Sequence, residues 1–91
     1  MNKISKVEFI KRIQSIDSAT SVKGMKYTSI QVYHNRCTGI RESTNKPFEI
    51  NLDHLYNAYV SLDGITTTSL REYVARVQSP SLAILREIGL T

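Results

Sequence analysis

Between Tyr27 and Asn51 the chain holds three short strand-like stretches, joined by links of two and four residues. That spacing constrains the fold more than any other feature. A parallel crossover needs about a dozen residues or more, so neighbouring strands here must run antiparallel. From Tyr27 to His34 the residues alternate: Thr28, Ile30 and Val32 on one side, Tyr27, Ser29, Gln31 and Tyr33 on the other. Period two in β-branched and aromatic residues indicates a strand. Asn35 and Arg36 make a tight turn, and Cys37 to Glu42 continues as a second strand, weakened by Gly39. After the turn residues Ser43 to Lys46, Pro47 to Asn51 forms a third strand with Phe48 and Ile50 on one face. The expected inward set is Ile30, Val32, Ile40, Phe48 and Ile50.

Helices flank this sheet. Ser5 and Glu8 fit a capping box, and Ile4 and Phe9 a hydrophobic staple. Val7, Phe9, Ile10, Ile13 and Ile16 then recur at helical spacing, which predicts a helix over about residues 6–16. Asp17 to Lys26 has loop composition. Asn51 can cap a helix carrying Leu52, Leu55, Tyr56 and Tyr59, which Ser61 to Gly64 stops. Ser69 and Glu72 make a second S-x-x-E box, and the stripe Leu70, Tyr73, Val74, Val77 predicts a helix over 69–77. Ser79 as N-cap and Pro80 at the first helical position open a last helix, 80–88. Gly89 stands at its expected C′ position, with Leu90 beyond it. The expected fold is one α+β domain over residues 1–91, a three-stranded antiparallel sheet packed with helices in the order α-β-β-β-α-α-α.

Charge divides this chain unevenly. Residues 1–47 hold nine basic and three acidic groups, a balance of +6, whereas residues 48–91 hold three basic and five acidic, −2. Cys37 is the single cysteine, so no internal disulfide can form and a reducing compartment is the expectation. Charges at Lys6, Glu8, Lys11 and Arg12 interrupt any signal-peptide core, and no apolar run approaches the roughly 18 residues of a membrane span. These features predict a cytoplasmic protein that does not engage a membrane.

Catalytic chemistry finds little support. His34 lies three residues before Cys37 across a turn, but no third residue is placed to orient it as a base. His34, Cys37, Asp53 and His54 are the only plausible metal ligands, and their spacing matches no common zinc pattern. The four glycines are scattered, so there is no phosphate-cradling loop. The expectation is a non-enzyme with no cofactor and no metal.

Two binding roles are predicted instead. The first is contact with DNA or RNA through the sheet face opposite the core, using Tyr27, Gln31, Tyr33, Arg36, Arg41 and Lys46. Cations neutralise phosphates, amides reach base edges, and aromatic rings stack on unpaired bases. The element order is similar to that of double-stranded-RNA-binding domains. Their basic helix start is absent, however: Leu52, Asp53, His54 and Leu55 stand there instead. The alternative role is a protein partner or homodimer, held by the apolar arc of the last helix through Leu82, Leu85 and Ile88.

Overall fold

A computed structural model describes residues 3–91. The elements run α1 (Lys6–Gln14), β1 (Ala19–Thr20), β2 (Lys26–Tyr33), β3 (Arg36–Arg41), β4 (Lys46–Asn51), α2 (Leu52–Ser61), α3 (Thr67–Leu70) and α4 (Gln78–Glu87). The class is α+β as expected, but the sheet has four strands, not three. It is an antiparallel meander in the order β1-β2-β3-β4. Two residues carry no periodicity, so β1 is invisible in the sequence. It exists because the Ser21–Met25 turn, closed by a pair of hydrogen bonds between those residues, folds Ala19 and Thr20 back onto β2.

Local signals fix several boundaries. Ser5 Oγ accepts from the Glu8 backbone N–H and caps α1. The return half of the expected box is not made, because the Glu8 carboxylate pairs with Arg12 one turn on. The helix ends at Gln14, two residues early, as Ser15 and Ile16 tighten onto the Arg12 and Ile13 carbonyls. Asn51 Oδ1 accepts from the backbone N–H groups of both Asp53 and His54, so β4 passes directly into α2 without a loop. At the C-terminus, Gly89 has φ +83°. Its N–H bonds the Arg86 carbonyl and the Leu90 N–H bonds that of Leu85, a complete Schellman motif.

The expected 69–77 helix is the largest departure. Thr66, not Ser69, is the cap, and Thr66 and Ser69 form a reciprocal capping box. Only one turn of helix follows. Residues 71–77 then run as successive turns, with the Tyr73 and Val74 N–H groups both on the Leu70 carbonyl and Arg76 at φ +71°. Leu70 and Val74 are buried all the same, so these turns satisfy the stripe that a longer helix was expected to satisfy. Pro80 adds a reason for the break, since its ring would clash with the Arg76 carbonyl in an unbroken helix. Helix α4 therefore starts at Gln78, with Pro80 at its third position and no side-chain cap from Ser79.

All four helices contribute to one core against a single face of the sheet. Phe9 and Ile13, Leu55 and Ala58, Leu70, and Ile84 and Leu85 meet Tyr27, Ile30, Cys37, Phe48 and Ile50. The N-terminal segment is pinned to α2: the Ile4 N–H donates to Tyr59 Oη and Tyr56 Oη donates to the Ile4 carbonyl. The inward set differs from expectation at two places, on β2 and on β3. On β2, the register slips between Thr28 and Gln31, and Ser29 sits at φ +53°. That bulge inserts one residue, so Tyr27 and Ile30 both point inward although three positions apart. On β3, Cys37 and Gly39 face the core and Ile40 lies on the outer face. Gly39 is required there because a Cβ would stand 2.5 Å from Phe48 Cζ, whose ring crosses the strand.

Candidate nucleic-acid interface

Because the helices share one face, no helix among the described residues lies over the other face of the sheet. Cross-strand rows order its side chains. Gln31, Thr38 and Glu49 form one row across β2, β3 and β4. Tyr33, Arg36 and Asn51 form the next, and Thr28, Ile40 and Pro47 lie on the far side. Tyr33 is 72% exposed, and the His34 ring meets it edge-on at 4.3 Å. Gln31 is exposed two residues away. Tyr33, Gln31 and Arg36 are thus brought together in the open, as the sequence predicts.

The other predicted site residues are not all there. Tyr27 is 2% exposed and packs edge-on against Phe48 at 5.7 Å. Its expected place on the outer face fails because the Ser29 bulge reverses the phase of the strand. Arg36 is open but pairs with Glu49 at 3.1 Å, so it contributes little net charge. Arg41 is half-buried on the core side of its strand, 5.8 Å from the Phe48 ring. Its guanidinium donates to the Pro47 and Arg76 carbonyls, tying the 71–77 turns to the sheet.

Cations gather instead at one end of the sheet. The register places Lys26, Arg41 and Lys46 at the same end of three consecutive strands. Lys46, expected on the open face, alternates with Phe48 and Ile50 and so starts from the core side with its partner Arg41; it is exposed only because it stands at the strand end. Strand spacing of about 4.8 Å puts the β2 and β4 backbones roughly 10 Å apart there. Arg76 adjoins them through its carbonyl contact with Arg41. Among the described residues, Lys26, Lys46 and Arg76 make no ion pair. Arg76 is the residue that sequence reasoning missed, since only the broken helix brings it beside β4. Several cations of the N-terminal half lie elsewhere. Lys6 pairs with Asp53, Arg12 with Glu8, and Lys3 stands over the Tyr59 ring at 4.8 Å.

Comparison with known proteins adds nothing to this geometry: no family model, curated protein or solved structure matches the chain. The remaining expectations are decided residue by residue. The apolar arc of α4 is covered within the chain: Leu85 is fully buried and Ile88 nearly so, which removes both as contact residues in this fold. Leu82 stays half-buried in a groove of about 290 Å³ beside Val22 and Met25. Cys37 is fully buried, and burial pushes its thiol up to about 12, out of nucleophile range. His34 stands exposed on the β2–β3 turn, whereas Cys37 points into the core. Among the described residues no three His, Cys, Asp or Glu side chains cluster as metal ligands. Among them, too, no helix is long and apolar enough to cross a membrane.

Proposed function

We propose that this chain is a nucleic-acid-binding module that takes a single-stranded segment across the open face of its sheet. The observation that carries this reading is an exposed aromatic and amide pair, Tyr33 and Gln31, on the face that no described helix covers, with Lys26, Lys46 and Arg76 unpaired with acids among the described residues at the far end of the sheet. Stacking on Tyr33 supplies sequence-tolerant binding. Gln31 has both a donor and an acceptor for a base edge. Lys26, Lys46 and Arg76 neutralise backbone phosphates as the strand leaves the stack. At about 3.3 Å of rise per residue, Tyr33 lies roughly 20 Å from Lys26, enough for a few nucleotides. Arg36, in the Tyr33 row, is neutralised by Glu49, which leaves phosphate contact to the cationic end.

Titration of the full chain into a short fluorescent oligothymidylate and its oligouridylate counterpart, read by anisotropy at several salt concentrations, tests the reading. Binding is expected to weaken steeply with salt, with a log–log slope of about −0.7 for each phosphate neutralised. Tyr33→Ala is expected to weaken it about tenfold without changing the slope. Lys26→Ala and Lys46→Ala are each expected to flatten the slope. No binding to either oligonucleotide at low salt overturns the proposal.

A further inference from the structure

The free edge of β4 is left unpaired over one short stretch. Pro47 has no N–H, so its pairing with Ile40 cannot be a hydrogen-bonded one, and the hydrogen-bonded pairs must be Lys46–Arg41, Phe48–Gly39 and Ile50–Cys37. The next rung agrees, with the Leu52 N–H bonded to the Asn35 carbonyl. Glu49 therefore turns both its backbone N–H and its carbonyl away from β3, and Asn51 does so with its N–H. Of the edge groups, the Pro47 carbonyl is already taken by Arg41. A groove of about 400 Å³ runs along this edge. Its floor is β4, and its far wall is the 73–77 stretch that failed to form a helix, with Val74, Ala75 and Val77. Arg41, bonded to both Pro47 and Arg76, ties the two sides together at one end.

We infer that this edge receives a short extended peptide segment of a partner protein, which adds to the sheet as a fifth strand. Three backbone groups aimed into one groove suit an extended chain, since a strand presents donors and acceptors at alternate residues. A second copy of this chain does not suit the edge. Pro47 lacks a donor on one side and α2 begins immediately after Asn51 on the other, so the ladder is too short for sheet-to-sheet pairing. The chemistry of the segment follows from the pleat. The residue opposite Glu49 shares the outer face with it and lies beside the Arg36–Glu49 pair, so a polar side chain fits. The residues on either side of it point inward, toward Val74, Ala75 and Val77, so apolar side chains fit there. The segment reads apolar-polar-apolar. It needs neither Tyr33 nor the cationic end, so it stands apart from the nucleic-acid proposal.

Selection of a random heptapeptide library displayed on phage against the immobilised full chain tests the inference. Enriched peptides are expected to carry the apolar-polar-apolar pattern, and a synthetic copy is expected to slow amide hydrogen exchange at Glu49 at least tenfold. Glu49→Pro removes the edge N–H while leaving every β3–β4 hydrogen bond, and is expected to weaken the synthetic peptide at least tenfold. Glu49→Ala removes the carboxylate but keeps the N–H, and is expected to bind within twofold of the parent, so it separates loss of the ladder from loss of the ion pair. Circular dichroism of both variants checks the fold. If Glu49→Pro proves unfolded, the exchange of the Glu49 amide in the parent decides alone. No enrichment, or enriched peptides that leave the Glu49 amide unprotected, overturns the inference.

Discussion

The two faces of the sheet are built from the same strands and do opposite things. The inner face is closed by four helices and holds Tyr27, Ile30, Cys37, Phe48 and Ile50 in one core. The outer face carries Tyr33, Gln31, Arg36 and Glu49 in the open. Two tyrosines six residues apart on one strand show how sharp the division is. Strict alternation puts Tyr27 and Tyr33 on one face, as both lie at odd positions. The bulge at Ser29 moves Tyr27 to the core and leaves Tyr33 in water. A single inserted residue thus decides which aromatic ring stabilises the fold and which is free to meet a ligand.

The widest contrast is expected between those two tyrosines. Tyr27→Ala should lower unfolding free energy by about 3 kcal/mol through a buried cavity next to Phe48. Tyr33→Ala should change it by less than about 0.5 kcal/mol while weakening oligonucleotide binding. Urea titrations of both variants measure this, and equal losses would mean that the faces are not divided as described. Gly39→Ala tests the inner face from the backbone side. The added methyl meets the Phe48 ring, so a loss of about 1–3 kcal/mol is expected. Phe48→Leu in the same chain should reduce that loss, because the two changes share one contact.

The bulge itself can be pressed. Ser29 occupies the left-handed region, where a side chain is strained. Ser29→Gly should raise stability by up to about 1 kcal/mol, whereas Ser29→Val should lower it by a similar amount. Stability unchanged by both would show that the strand runs straight through.

The last expected effect is confined to alkaline pH and concerns Cys37. Its folded thiol holds its proton to about 12, against an ordinary 9.0. The unfolded thiol ionises first, so the buried group stabilises the fold fully below about pH 9 and loses that contribution between pH 9 and 12. Cys37→Ala should lack this part of the alkaline decline in a pH series of denaturant midpoints. Thiol alkylation of the native parent should likewise be slow until the chain is unfolded.

Short-range signals were legible because their partners lie within a few residues. The Ser5 and Asn51 caps and the Gly89 terminus satisfy backbone groups of their own helix, so a few side chains suffice to mark them. The antiparallel order of β2, β3 and β4 was likewise fixed by link length. Other features depend on partners far away in sequence. Ala19 becomes a strand residue only against Tyr27, and Leu70 and Val74 reach the core through turns as well as through a helix. The candidate site was legible to the same degree. Tyr33 and Gln31 share the face that alternation assigns them, and Arg36, read from the sequence as a turn residue, joins them as the first residue of β3. The end-to-end cluster of Lys26, Lys46 and Arg76, and the Glu49 that neutralises Arg36, needed the register.

The +6 balance of the first 47 residues makes the same point about charge. By itself the sequence determined that cations are concentrated in that half, because counting needs no fold. It also determined that the strands are antiparallel, because a two- or four-residue link permits nothing else. Only the tertiary structure decided which cations meet acids, as Lys6 does at Asp53 and Arg36 at Glu49, and which face the solvent together. The physical reason is range. Capping and turn formation act over three or four residues, whereas ion pairing, strand register and burial act between residues that only the folded chain makes neighbours.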